Sequence, residues 1–234
     1  MFKKIILKGG CVLKKLISNY INEKIQLDIS GRKILQGVLT DIGSDILVLY
    51  DGTNYLYIPI IHIHNLSLLD PDEFQIQSPT EGPNIDCEQE MSLRKVLTSA
   101  KGMFTEIYVT SNQPLHGYIT SIMNNYFVFY SPVYKTMLIS LNHLKWLIPY
   151  TYNQRPYSLT NEDFPLKPVP FSLARSFDIQ LEKHIGELVI FNIGDNPNLI
   201  GKLKSVQDSF IELITARQEA VYLNLSHIKT IHFT

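Results

Sequence analysis

The chain has 234 residues, 45% hydrophobic and 18% charged, and its 21 lysines and arginines meet 22 acidic residues for a net charge of −1. Such a balance leaves no electrostatic footprint for nucleic acid or an anionic membrane surface, so neither is expected as a partner. Only two cysteines occur, Cys11 and Cys87, which implies no disulfide framework.

Residues 1–10 hold just three consecutive apolar residues before Lys8. A secretory segment needs about seven or more, so no signal peptide is expected, and no apolar run approaches the roughly 18 residues of a membrane span. Next, Leu13, Leu16, Ile17 and Tyr20 recur at helical spacing and predict a short helix. Strand-like segments follow at 24–30, from Leu35, at 46–50 and at 55–61, with a last short strand after His62. Within 46–50, Ile46, Val48 and Tyr50 fall on one side and Leu47 and Leu49 on the other, which is the period of a strand. Gly43-Ser44-Asp45 before it suits a tight turn, so this strand is the second arm of a hairpin.

The same succession returns twice. Gly37, Gly117 and Gly201 step by 80 and 84 residues, and the closing histidines His62, His143 and His227 step by 81 and 84. Landmarks that drift together mark one unit used three times. Upstream strands fall at 106–111 and 187–193, hairpins are centred before 126–130 and 210–214, and later strands lie at 137–142 and 220–226. Helical stripes precede the second and third copies at Leu93, Val96, Leu97, Ala100 and at Leu173, Phe177, Leu181, with Ser92 and Ser172 as expected caps.

The predicted fold class is therefore mainly β: three tandem five-stranded SH3-like or Sm-like small barrels, each preceded by a short helix. Closing each set into a barrel would remove its exposed edges. The boundaries are 1–70, a linker at 71–85, 86–149, a proline-rich linker at 150–170, and 171–234. Proline lacks a ladder donor and restricts the residue before it, so the linkers cannot continue a sheet. Each glycine opens a first arm where a close backbone approach excludes a side chain.

Chemistry is sparse. His62 and His64 flank Ile63 and would share a strand face, the only pairing that suggests a metal, but Lys145 and Lys229 replace the second histidine in the other copies. A metal site needs three or four converging ligands, so no metal or other cofactor is expected, and the repeated histidines read as backbone-bonding structural residues. Ser140 and Ser226 lie near histidines without a nucleophile elbow or a repeated acid, so no enzyme activity is expected. The aromatics Tyr55, Tyr57, Tyr108, Tyr118, Tyr126, Tyr130, Tyr134 and Trp146 read as core and packing between copies. Apolar residues on both faces of 55–61 predict that another copy or another chain covers the second face. Pro59 and Pro132 discourage pairing locally.

The runs Asp41-Ile-Gly-Ser-Asp-Ile-Leu-Val-Leu, Tyr57-Ile-Pro-Ile-Ile-His-Ile and Leu225-Ser-His-Ile-Lys-Thr-Ile resemble the repeat of the spore coat protein B-like family of bacterial endospores. The resemblance implies a non-catalytic structural component of the outer spore layers, made in the mother-cell cytoplasm and held by contacts with itself and other coat proteins. It departs from that family at the turns Ser30-Gly-Arg-Lys, Ser111-Asn-Gln-Pro and Gly194-Asp-Asn-Pro, where a Gly-Gly-Pro turn is the pattern, and it reaches Thr234 without a Ser/Lys/Arg-rich tail. In strand count and preceding helix the unit also looks like the Sm-like RNA-binding fold. The Arg-Gly element of that family is replaced by Ile63-His64-Asn65, Leu144-Lys145-Trp146 and Ile228-Lys229-Thr230. An Sm-like RNA-binding module is the alternative reading.

Overall fold

Alternation in Lys-Ile-Gln-Leu-Asp-Ile turns Ile25, Leu27 and Ile29 inward along strand β1 (Lys24–Ile29), while the residues between them are only partly covered. The computed structural model describes residues 17–70, 76–83, 85, 90–110, 113–151, 156–158, 169 and 171–233. After β1 come β2 (Lys33–Ile42), β3 (Ile46–Tyr50), β4 (Tyr55–Pro59) and β5 (Ile63–Leu68). The second set is β6 (Phe104–Tyr108), β7 (Leu115–Ile122), β8 (Tyr126–Ser131), β9 (Lys135–Ser140) and β10 (Trp146–Pro149). The third is β11 (Leu188–Phe191), β12 (Ile200–Gln207), β13 (Phe210–Ile214), β14 (Ala220–Asn224) and β15 (Thr230–Phe233). The protein is mainly β, and every pairing between these strands is antiparallel.

Each set has the same internal order, with its fourth, third, second, first and fifth strands side by side. In each the long second strand shifts register once, between Leu39 and Asp41, Ile119 and Ser121, and Leu203 and Ser205. Such a bulge bends the strand and lets its two halves serve different neighbours. Thr40 and Thr120 occupy the bulge in the first two sets and donate to the carbonyls of Val48 and Val128 at 3.2 and 3.3 Å. Lys204 takes that place in the third. The glycines sit one turn earlier on the same strands. A Cβ on Gly37, Gly117 or Gly201 would stand 2.3, 2.1 or 2.3 Å from the carbonyl oxygen of Tyr50, Tyr130 or Ile214, closer than any side chain tolerates.

The sets do not close on themselves. One continuous open sheet of fifteen strands runs β14-β13-β12-β11-β15-β9-β8-β7-β6-β10-β4-β3-β2-β1-β5. This corrects the expectation that each set removes its own edges: β4 pairs with β10 and β9 with β15, so a set satisfies its fourth strand on the fifth strand of the next. The apolar second face of β4 is covered in the same way. Tyr57 packs into the core of the second set, together with Ile46 and Val48, while Tyr126, Val128 and Leu138 of the second set pack into the core of the third.

Helix α1 (Leu93–Ser99) starts after Ser92, whose hydroxyl accepts from the Lys95 N–H at 3.4 Å, and buries Val96 and Leu97. Helix α2 (Phe177–Glu182) starts after Ser176. Ser172, expected as its cap, instead accepts from the Lys183 ammonium at 3.2 Å through its hydroxyl, so the helix begins four residues later than the stripe predicts. Of the first expected helix, Leu13 and Leu16 lie outside the described residues, while Ile17 is buried and leads into a short 3-10 turn at Ser18–Tyr20. Cys11, Cys87 and most of the second linker also lie outside them.

Gly117→Ala is expected to cost about 3 kcal/mol in urea unfolding, because backbone has to move to admit the methyl group. Gly82→Ala, which meets nothing within 4 Å, should stay within about 0.5 kcal/mol of the parent. Equal stabilities for the two variants would refute the close-approach reading.

Candidate functional site at the seams between strand sets

Between consecutive sets the same contacts occur twice, and together they form the most elaborate polar arrangement among the described residues. The β2–β3 turn of one set reaches the helix of the next. Asp45 Oδ1 accepts from the Leu93 N–H at 2.7 Å, and Asn125 Oδ1 accepts from the Phe177 N–H at 2.8 Å. The first N–H groups of a helix have no partner inside it, so a side chain from the preceding set supplies one. One residue earlier, the N–H of Ser44 donates to Met91 O at 2.8 Å and that of Asn124 to Arg175 O at 3.0 Å.

Strand pairing follows in one register. Leu147 of β10 faces Tyr57, and Ile231 of β15 faces Leu138. In both cases the first residue lies four past its closing histidine and the second lies five before the preceding one. The second seam is the longer ladder, with Thr230 against Ile139 and His232 against Met137 as well. Pro59 explains the difference. Ser140, its counterpart in the second set, donates its N–H to Lys229 O at 2.9 Å, a bond that proline cannot make.

The closing histidines belong to these seams. Short 3-10 turns at Ile60–His62, Leu141–His143 and Leu225–His227 carry them, so His62 and His64 do not share a strand face: His62 is buried in its turn and His64 is exposed on β5. His143 Nε2 donates to Ser226 O at 2.8 Å, across the seam. His62 faces the matching carbonyl of Asn142, short of full hydrogen-bond geometry at Nε2, while its Nδ1 lies 2.9 Å from the Ser30 hydroxyl. With its proton on Nε2 the ring accepts from the Ser30 hydroxyl at Nδ1 and turns its N–H toward the Asn142 carbonyl. Burial, then the neighbouring His143 and Lys145, push the His62 pKa down to about 4. Burial lowers His143 as well. His227 stands in the same place in the third set and is exposed.

The second seam holds a chain of polar side chains, buried from Tyr126 to His184 and reaching the surface at Glu187. The Tyr126 hydroxyl donates to Ala174 O at 2.7 Å and lies 3.1 Å from Gln180 Oε1. Gln180 Nε2 is 2.9 Å from His184 Nε2, and His184 Nδ1 is 2.9 Å from Glu187 Oε2. Burial raises the Tyr126 phenol to about 12, so it remains a donor at any physiological pH.

At the first seam Tyr108 and Trp146 stack face to face at 4.1 Å, both buried, with the ammonium groups of Lys33 and Lys145 at 5.4 and 5.6 Å from the Tyr108 ring. Burial, Lys229 and Lys33 lower the Lys145 pKa. No group of three or more His, Cys, Asp or Glu side chains that could hold a metal occurs among the described residues. Ser226 donates to Asn224 Oδ1 at 2.7 Å, and Ser140 sits in the β9 ladder, so neither adjoins an acid and base pair.

The family model described as YwrJ third domain matches residues 176–231, from the residue before α2 to the middle of β15. Over 222 residues the chain is 43% identical to "Uncharacterized protein YwrJ" of Bacillus subtilis (strain 168), covering 93% of this chain and 99% of that protein. The chain belongs to the YwrJ family. In this YwrJ-family chain, sequence reasoning located the glycines and histidines but not the partners of the histidines. It also took Ser44-Asp45 only as turn formers, and Asn124-Asn125 hold the matching place in the second set. Their recurrence directly before β3 and β8 was the available signal, but the helix ends they serve lie some fifty residues away.

His62 binds its proton more weakly folded, at about 4, than the ordinary 6.5. The unfolded chain thus takes up a proton that the folded chain refuses as pH falls through that window, and stability is full above pH 6.5 and lost progressively toward 4. Between pH 7 and 4.5 the parent should lose about 2 kcal/mol more than His62→Gln in denaturant unfolding, and parallel pH profiles would refute the assignment.

Proposed function

We propose that this chain is a non-catalytic structural protein that self-associates through its terminal strand edges. One observation carries the reading: among the described residues β14 and β5, at the two ends of the sheet, have no strand on their outer sides, and they contain neither lysine nor proline. Soluble proteins ordinarily blunt such edges with those residues. In this reading each five-strand set is a small curled barrel of the SH3-like or Sm-like kind, bent at its bulge and chained in tandem. Resemblance of its motifs to the spore coat protein B-like repeat supports a place in the proteinaceous outer layers of an endospore, with itself and other coat proteins as partners.

A second reading, binding of RNA, draws support from the cluster of Lys33, Lys145 and Lys229 beside the seam histidines. It is weakened by the burial of Tyr108 and Trp146, which stack on each other and leave no free ring face for a base. Retention of single-stranded RNA that falls steeply with salt would favour it.

Light scattering of purified protein should show mass rising with concentration in the absence of nucleic acid. Tyr222→Pro removes an edge donor of β14, and it should hold the protein at the mass of one chain while leaving its melting temperature within a few degrees. A single-chain mass for the parent at every concentration would sink the proposal.

A further inference from the structure

We infer that the occupant of the two free edges is a second copy of this chain, docked end to end, with β14 of one copy beside β5 of the next in the register of the internal seams. The inference rests on the self-association reading and adds its geometry. Continuity with the two internal seams is the argument, since the strand edge, the closing histidine and the residue before it, all of which build those seams, have exposed counterparts at the outer strands of the described sheet.

The third set presents the outgoing half. Tyr222 lies five residues before His227, as Tyr57 and Leu138 do before His62 and His143. Those two are fully covered by the next set, whereas Tyr222 is 67% exposed. Phe210 opens β13 as Ile46 and Tyr126 open β3 and β8. Both of these are fully buried against the following set, and Phe210 is 49% exposed. Ser209 stands where Asp45 and Asn125 cap the following helix. Exposed His227 stands where His143 donates across the seam to Ser226 O.

The first set presents the receiving half. Ile61 occupies the place of Asn142 and Ser226, whose carbonyls face the preceding histidine, and it is 73% exposed. No described strand pairs with the outer side of β5. Carrying over Thr230 against Ile139, Ile231 against Leu138 and His232 against Met137 gives Asn65 against Leu223, Leu66 against Tyr222 and Ser67 against Val221. His227 then meets the Ile61 carbonyl. Because the two surfaces differ, the contact is heterologous, and it builds either a closed ring of chains or an open filament.

One position departs from the internal pattern. Val48 and Val128, buried at the seams, are matched by Glu212, and Thr40 and Thr120 by Lys204. The Glu212 carboxylate accepts from Lys204 at 2.8 Å, Ser205 at 3.2 Å and the Tyr222 hydroxyl at 3.4 Å. Covering this bonded charge makes the contact between chains weaker than those within one, and reversible.

Two experiments on the full chain test the inference. In a Cys11→Ser/Cys87→Ser background, Ser67→Cys with Val221→Cys should give disulfide-linked dimers or a ladder under mild oxidation, reversed by reductant. Asn65→Cys with Val221→Cys places its partners two residues out of register, beyond disulfide reach, and should give none. Oligomers that form without the in-register link overturn the register and leave self-association standing, while single chains at every concentration overturn both. Separately, Lys204→Thr/Glu212→Val gives the third set the residues of the first two and should lower the dissociation constant at least about tenfold. An unchanged or raised constant, with the cross-link also missing, refutes the contact.

Discussion

An edge strand leaves a row of N–H and C=O groups facing outward, and those groups have to find partners or water. In this protein the order of strands within each set leaves the fourth strand on one side and the fifth on the other, so the two exposed rows of one set are complementary to those of its neighbours. Everything distinctive about the molecule follows from that. The cores interlock because a strand lent to a neighbour carries its outward side chains with it, which is why Tyr57 and Leu138 belong to cores that their own sets do not build. The helix caps cross the seams because the β2–β3 turn lies at the same end as the fourth strand, next to the start of the following helix.

Much of this was legible in the chain and some was not, for definable reasons. The glycines were readable because the constraint on them is local: strand two passes strand three so closely that a Cβ would strike a carbonyl, and the clash recurs in every copy. The histidines were readable as landmarks, but the carbonyls they face sit a whole set away, at Asn142 and Ser226, and no local pattern announces a contact of that span. The closed barrel was a sound inference from five short strands, yet periodicity says only which face of a strand is apolar. Whether its edge pairs within the set or with the next depends on what the next set offers. Ser172 failed as a cap because the apolar stripe from Leu173 suggested a helix four residues longer than the chain forms, and Arg175 gives its carbonyl to the Asn124 N–H instead.

The histidine is well suited to a seam. A neutral imidazole both donates and accepts, so one side chain at the end of a turn can bond its own set through one nitrogen and the next set through the other. Serine is too short to span the gap, and lysine has no acceptor and brings a charge. Burial keeps the ring neutral, as the depressed pKa values of His62 and His143 reflect, and the nearby lysines act in the same direction.

The contrast between inner and outer seams then becomes intelligible as a matter of effective concentration. Two sets joined within one chain meet each other at a local concentration that a free partner rarely attains, so apolar valines at Val48 and Val128 can be committed to a permanent contact. A contact between separate chains has no such guarantee. An apolar face on the last set, next to Phe210 and Tyr222, would be an indiscriminate adhesive in dilute solution. Glu212, held by Lys204 and by the Tyr222 hydroxyl, keeps that face wettable while the backbone edge beside it stays intact. The same geometry is thereby used at two strengths: tight where the chain enforces proximity, and weak where only the abundance of further copies can bring a partner.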